Sequence, residues 1–432
     1  MAPLSELDAR VGEMFVKELN RGRKVNDSVG VYISVPFCSA KCTYCNFASG
    51  VFGADRMDRY VERVCAEIGS ARMKAKRVSA ELPGLVDTIF LGGGTPSLLS
   101  SGQMLRLFET LRGEFEVAAD AEVTLECAPG QLGEETLEEM LRQGMNRVSF
   151  GVQSFVDTEA KAVGRLHTRE MCLAEIARMR AAGVENINVD LIVGLPGQTA
   201  ESWRESVELT VASGVPHVSV YMLEVDEDSR LGREMLADGS RYGARGAPSD
   251  DETAEWYGSA CQRLESGGIA QYEISNFARE GSSSRHNVKY WRREAYVGFG
   301  LDAHSMLRSG AGAVRWAITD DLARYEVQDT RSKGDAGLVQ MNRGAGPGVE
   351  VVGREQGFEE AMFLGLRMNA GVDLEVLHLE FGEVLMRDAV AALGDVVEAG
   401  LVVREGSRVR LTMKGRMASN EVFSRLLVGA VA

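Results

Sequence analysis

The sequence predicts an α/β fold: a partial TIM-like (β/α)6 barrel followed by a small C-terminal winged-helix-like α+β domain. Three observations lead there. Between residues 30 and 228, six short apolar, β-branched runs alternate with helical patterns. Glycine and polar residues gather at the C-terminal ends of those runs, where parallel βα architectures carry their reactive groups. Beyond residue 350 the alternation gives way to helix, helix, hairpin and helix.

Taken in order, residues 1–29 mix acids and bases along a helical pattern and read as an N-terminal helix. The strand candidates are 31–36, 87–92, 121–127, 147–153, 187–194 and 217–225, with helical patterns near 55–78, 101–115, 134–143, 155–182 and 199–213. Such alternation reads as parallel βα units with helices outside the sheet. Six units fall short of the eight of a complete barrel, and a doubly wound open sheet accommodates the same pattern. Residues 229–350 extend this core. They comprise a loop over 229–248, a helix near 250–267 opened by the capping-box pattern Ser249-Asp250-Asp251-Glu252, a strand over 270–278, and Gly-rich loops from 309 to 350. Residues 351–432 form the last unit, with its hairpin around Glu405-Gly406-Ser407.

Composition narrows the function. The 432 residues are 45% hydrophobic and 26% charged, and 63 acids against 48 Lys and Arg give a net charge of −15. That balance argues against broad electrostatic capture of nucleic acid or anionic membrane. Residues 357–432 hold 11 acids against 8 Lys and Arg, so the winged-helix outline carries no DNA-binding reading. The N-terminal residues lack the apolar stretch of a signal peptide and the acid-poor character of a transit peptide, and no run approaches about 18 apolar residues. A cytoplasmic protein is expected. Seven cysteines, an odd number spread along the chain, do not suggest a disulfide framework. Cys65 shares a helical stripe with Tyr60, Val64 and Ile68, and Cys127, Cys172 and Cys261 stand alone, as small buried residues do.

Cys38, Cys42 and Cys45 differ. They form a C-x3-C-x2-C run in VPFCSAKCTYCNFAS, at the end of the first strand. Zinc in a structural site wants four ligands, and no second Cys or His pair lies at finger-like spacing; a catalytic zinc with three Cys and an open position is an uncommon alternative. A redox pair leaves Cys38 unexplained. A [4Fe–4S] cube held by three thiolates leaves one iron open to a small-molecule ligand. After the second strand comes Gly92-Gly93-Gly94-Thr95-Pro96, which lacks the G-K-[ST] of a triphosphate loop but lets a ligand approach the backbone. Glu126, Gln153, Asp190 and Tyr221 sit at or near the ends of strands three to six.

With an aromatic before its third cysteine (Tyr44) and GGGTP one strand later, the chain resembles the radical S-adenosylmethionine proteins. Further segments extend the likeness: SFGVQSF (149–155), VGRLHT (163–168), DLIVGLPGQT (190–199), YVGFGLDAHS (296–305) and LTMKGRMASNEVF (411–423). These resemble the oxygen-independent coproporphyrinogen III oxidase family and, within it, the HemW-type haem chaperones. The resemblance implies a barrel of the radical S-adenosylmethionine type, with Cys38, Cys42 and Cys45 holding a [4Fe–4S] cluster. It implies that S-adenosylmethionine is bound by Gly93, Gly94, Thr95, Glu126, Gln153, Arg165 and Asp190, with Tyr32, Tyr44 and Phe47 beside it. The cationic sulfonium and amino groups suit Glu126 and Asp190, and the carboxylate suits Arg165.

Two branches follow from the resemblance. The oxidases carry a fourth cysteine two residues after the third, where this chain has Phe47, and their region before the first cysteine is longer than the 37 residues here. An oxidase pocket would also gather Arg or Lys against four propionates, whereas the strand ends offer mostly acids and neutral groups. The stretch His286-Asn287-Val288-Lys289-Tyr290-Trp291 resembles the HNxxYW signature of the haem-binding branch. There His286 would be a haem-iron ligand, with Asn287, Tyr290 and Trp291 beside the porphyrin; the alternative is a histidine hydrogen-bonded in a domain junction. The expectation is a haem chaperone, monomeric or weakly dimeric. It would bind haem or porphyrin and serve haem-acceptor proteins, membrane-associated ones included, without binding nucleic acid. The enzyme alternative is radical decarboxylation of propionates to vinyl groups.

Overall fold

A computed structural model describes residues 27–310, 312–327 and 348–425. Six core strands, β1 (Ser28–Val35), β2 (Leu85–Gly93), β3 (Glu116–Cys127), β4 (Arg147–Gln153), β5 (Asn186–Val193) and β6 (His217–Met222), lie side by side in chain order. Every neighbouring pair among them is parallel. The expected helix over 1–29 falls outside the described residues up to position 26, and Ser28 and Val29 already belong to β1.

The period of two along each strand sorts the side chains. One set, exemplified by Val29, Val31 and Ile33 on β1 and Val148, Phe150 and Val152 on β4, is buried in the main apolar core, which it shares with helical residues such as Met104, Leu107 and Leu111. The other set lines the inside of the curved sheet and is polar: Glu126 on β3, Arg147 and Ser149 on β4, Asn188 and Asp190 on β5, Ser219 on β6. A barrel interior filled by Val, Ile and Leu would be a packed core. Here the polar lining encloses a chamber instead.

Short strands extend the sheet at both edges. Beside β6 run β7 (Ala270–Gln271) and β8 (Asn276–Ala278), so the single strand expected over 270–278 is a hairpin that turns at Glu273. Beside β1 lies β9 (Tyr296–Phe299), also parallel, followed by the antiparallel β10 (His304–Ser309), β11 (Gly312–Ala317) and β12 (Val349–Val352). Part of the region expected as Gly-rich loops is therefore sheet edge. No pairing joins β12 to β7 among the described residues, so the barrel stays open.

Helix boundaries also correct the sequence reading. The pattern over 55–78 is two helices, Ala54–Ile68 and Ala71–Arg77, parted where Ser70 Oγ donates to Glu67 O. The pattern over 155–182 is likewise two, Asp157–Ala162 and Arg169–Ala181, because Gly164 takes φ +88° between them. Within the expected loop 229–248, Ser229 caps a helix Arg230–Leu236. The expected capping box at Ser249 and Glu252 is present, opening Asp250–Ser266.

In the C-terminal region, helices Arg354–Arg367, Leu374–Phe381 and Glu383–Glu398 pack with a three-stranded antiparallel sheet, β13 (Val372–Asp373), β14 (Val402–Glu405) and β15 (Arg408–Leu411). Phe358, Met362, Leu393, Val396 and Val409 form an apolar core of their own. Ion pairs join this region to the barrel extension, among them Arg367 with Glu273 at 2.8 Å and Arg293 with Glu360 at 3.4 Å. Among the described residues no helix is long and apolar enough to cross a membrane.

Candidate functional site

The cysteine loop leaves β1 and closes on itself: Cys38 N donates to Gly50 O at 2.9 Å, and Gly50 N to Pro36 O at 2.9 Å. It is stitched to the glycine loop after β2 by Gly94 N donating to Val35 O at 2.8 Å and Thr95 N to Phe37 O at 2.7 Å. These bonds demand glycine at 94, since a Cβ there would stand 2.7 Å from Val35 O and 2.8 Å from Phe37 O. Thr43 N reaches Val163 O at 3.0 Å, tying the same loop to the turn between the helices Asp157–Ala162 and Arg169–Ala181.

That turn brings in Arg165. Its Nη1 donates to the Cys42 Sγ at 3.5 Å, and Nη2 donates to Gly151 O. Tyr44 packs beside Val163, Ile192 and Leu195, its phenol held well above the usual range by burial, with Arg165 opposing the shift. Burial also raises the Cys38 thiol, against hydrogen bonds to Ser49 and Thr95. The Cys42 and Cys45 thiols are close enough to add to that rise. The cysteines thus share one loop, with no disulfide.

Two adjoining cavities lie beneath. The smaller, about 80 Å3, is lined by Tyr32, Ser34, Phe47, Gly93, Glu126 and Asp302. The larger, about 220 Å3, shares Tyr32 and Glu126 with it and continues past Asp190, Ser149 and Asn188 to Arg147, His286 and Tyr290. Glu126 accepts from Gly93 N at 3.2 Å. Burial, then the neighbouring Asp190, pushes its carboxyl up to about 8, so at neutral pH it is mostly protonated. Asp190 accepts from Asn188 Nδ2 at 2.7 Å and Ser149 Oγ at 3.3 Å; burial raises its pKa against these bonds. Gln153 takes a left-handed φ of +69°, and its Oε1 is buried without a partner. Arg165 Nε is likewise buried and unpartnered. Neither residue lines the two cavities, and buried polar atoms left unmet call for a partner such as a bound ligand or water.

The structure therefore brings Cys38, Cys42, Cys45, Tyr44, Arg165, Gly94 and Thr95 together at the C-terminal mouth of the barrel, with Tyr32, Phe47, Gly93 and Glu126 around the cavity below. Among the described residues no three His, Cys, Asp or Glu side chains converge as a single metal ion would require. A cube asks for less convergence, because each thiolate takes its own corner. Three thiols on one loop, without a protein carboxylate or imidazole among them, suit an iron–sulfur cluster in donor type.

The HNVKYW segment lies elsewhere. It forms the helix Arg285–Trp291, capped by Ser284, across the N-terminal ends of β2 and β3. Arg285 N and His286 N donate to the Glu122 carboxylate at 3.0 and 2.9 Å, and Lys289 pairs with Asp87 at 3.0 Å. His286 is buried, sharing hydrogen bonds from Nδ1 with Thr88 Oγ1 and from Nε2 with Tyr290 Oη, both at 2.8 Å. Burial, then Lys289 and Arg147, lowers its pKa to about 3, so it is neutral. Asn287 and Tyr290 line the larger cavity from below, whereas Trp291 turns to Arg367, whose guanidinium lies 4.3 Å from its ring centre. His286, Asn287 and Tyr290 thus floor the barrel, at the opposite end from the thiols.

Sequence reasoning missed Arg147, Ser149, Asn188 and Ser219. The signal was present: RVSFGVQ, NINVDLIV and HVSVYM each alternate polar with apolar residues, with the polar set facing inward.

Residues 32–210 match the Radical SAM superfamily and residues 354–418 the HemN C-terminal domain. A protein of Bacillus subtilis named heme chaperone HemW is 34% identical over 403 residues, covering 92% of this chain and 98% of that protein. The Mycobacterium tuberculosis protein of the same name is 32% identical over 402 residues, covering 92% and 94%. Among solved structures, coproporphyrinogen III oxidase from Escherichia coli superposes with a TM-score of 0.77 at 22% identity, over 96% of this chain and 93% of that one. At that identity the likeness speaks for the fold.

Proposed function

Since the chain belongs to the HemW family of radical S-adenosylmethionine proteins, we propose that it is a haem chaperone, binding haem and passing it to acceptor proteins. The observation that carries this reading is near-full-length identity to proteins of that name, over both the barrel and the C-terminal region. Phe47 supports it. At the position of the oxidases' extra cysteine this chain places a phenyl ring, 62% exposed, at the edge of the smaller cavity.

In this reading Cys38, Cys42 and Cys45 hold a [4Fe–4S] cluster. Gly93, Gly94, Thr95, Glu126, Gln153, Arg165 and Asp190 receive S-adenosylmethionine, with Tyr32, Tyr44 and Phe47 around it. Together the two groups supply one-electron chemistry. The chain's own residues do the rest: the Gly94 and Thr95 amides brace the cysteine loop, Arg165 lends positive charge beside Cys42, and Glu126 can lose its proton when a cation arrives. We keep the domain units of the sequence reading as a proposal, a barrel over 30–228, an extension over 229–350 and a C-terminal unit over 351–432, although β1 begins at Ser28 and β12 runs across the last boundary to Val352. An iron bond from His286 would require Thr88 or Tyr290 to release a ring nitrogen and the helix Arg285–Trp291 to open the floor.

The test is anaerobic. Cluster-reconstituted protein is titrated with haem and, separately, incubated with S-adenosylmethionine, reductant and coproporphyrinogen III. Saturable haem binding with no loss of CO2 from the porphyrin is expected. A vinyl product would give the protein to the oxidases instead.

A further inference from the structure

The floor of the larger cavity holds a charge that the proposed function does not use. Arg147 opens β4, one inward position below Ser149, and is 2% exposed. Its Nε is buried without a hydrogen-bond partner, and no carboxylate lies within ion-pair distance of it among the described residues. Buried guanidinium groups are ordinarily paired, because desolvating a charge costs several kcal/mol otherwise. The groups nearest in the chamber leave it without an ion pair. His286 and His217 are neutral and Glu126 is mostly protonated at neutral pH, while Asp190 acts on it through space and accepts its hydrogen bonds from Asn188 and Ser149. Ser149, Asn188, Asn276 and Asn287 add hydroxyl and amide groups to the walls.

We propose that Arg147 anchors a carboxylate group of a ligand reaching down the barrel from the thiol end. The bidentate fork of a guanidinium matches a carboxylate, and a pair at a buried guanidinium is screened less than one at the surface. At about 220 Å3 it is smaller than the pockets that enclose a drug-sized molecule, so it admits one acidic arm and leaves the body of the ligand nearer the mouth. A tetrapyrrole propionate supplies such an arm, so the inference rests on the functional reading above; the carboxylate of S-adenosylmethionine belongs with Arg165 at the thiol end.

The experiment compares acid with neutral analogue in two pairs on the full-length, cluster-reconstituted protein. The pairs are protoporphyrin IX with its dimethyl ester, and propionate with propionamide. Binding is read by calorimetry for wild type and Arg147→Met. At least one pair should favour the acid, and Arg147→Met should reduce that preference on the order of thirty-fold or more. A folding defect in the variant would weaken both members of a pair equally and leave the preference unchanged, so the ratio is the readout. Equal binding of acid and neutral forms by the wild type in both pairs overturns the proposal without any variant. A preference that survives Arg147→Met overturns it too. Failure of both porphyrins to bind would instead remove the haem reading, and the propionate pair would still decide the role of Arg147.

Discussion

His286 Nδ1 and Thr88 Oγ1 meet at 2.8 Å across 198 positions of sequence, fastening the helix Arg285–Trp291 to the underside of β2. Together with the bonds from Arg285 N and His286 N to Glu122, this contact closes the N-terminal end of the barrel. His286→Ala should therefore act on stability. It strands the Thr88 and Tyr290 hydroxyls in a buried site, at a cost of roughly 1–3 kcal/mol, read as a lowered urea midpoint. Haem affinity and the haem absorption spectrum of the cluster-loaded protein should stay as in wild type. A shifted spectrum in the variant would return His286 to the role of iron ligand.

The thiols give a sharper test. Replacing Cys38, Cys42 or Cys45 with Ala should each reduce iron and acid-labile sulfide to background, since two thiolates hold a cube poorly. Cys261→Ala, in the helix Asp250–Ser266, should retain wild-type iron. Full iron content in any of the three loop variants would refute the cluster assignment.

Gly94 shows how closely that loop is fitted. A methyl group there collides with two backbone oxygens that cannot rotate away, Val35 O and Phe37 O. Gly94→Ala should cost on the order of 1–3 kcal/mol and lower cluster content. Gly102→Ala is the control: it lies in the helix Ser101–Glu114 with open space around its Cβ direction, and should be neutral or stabilising by up to about 1 kcal/mol. Equal effects of the two substitutions would mean that the loop adjusts freely.

These residues also mark what the sequence made legible. The six strands and their helices were readable because β-branched runs and helical stripes repeat at ordinary lengths. The thiols and GGGTP fell at strand ends, where a parallel fold concentrates chemistry. The barrel floor was not readable: Thr88, Glu122 and His286 meet only because the chain returns beneath β2 and β3 some 160 residues after Glu122. No local pattern records that return. Strands β9 to β12 escaped because each spans four to six residues among glycines, too few for a period of two to stand out. Arg147 is a different case. The alternation in RVSFGVQ puts it on the polar face with Ser149, but alternation alone does not tell that this face lines a chamber.

Glu126 provides the pH signature. Burial and Asp190 place its folded pKa at about 8, above the ordinary value of 4.5. The folded state therefore holds a proton that the unfolded chain has released, and the associated stabilisation is fully present below 4.5 and lost as pH rises through about 8. Glu126→Gln keeps the group neutral and removes that dependence. Between pH 5 and 8.5 the urea midpoint of the ligand-free wild type should fall more steeply than that of Glu126→Gln. Asp190, also raised, is present in both proteins; its repulsion with ionised Glu126 is reciprocal, so losing that charge in Glu126→Gln eases Asp190 as well and flattens the variant's curve further. Cationic S-adenosylmethionine should reverse the trend for binding, because ionised Glu126 attracts the sulfonium and amino groups. Wild-type affinity should thus climb across this range, with proton release on binding, while that of Glu126→Gln stays flatter. Parallel curves for the two proteins in both measurements would place Glu126 outside the binding site and its carboxyl in an ordinary ionised state.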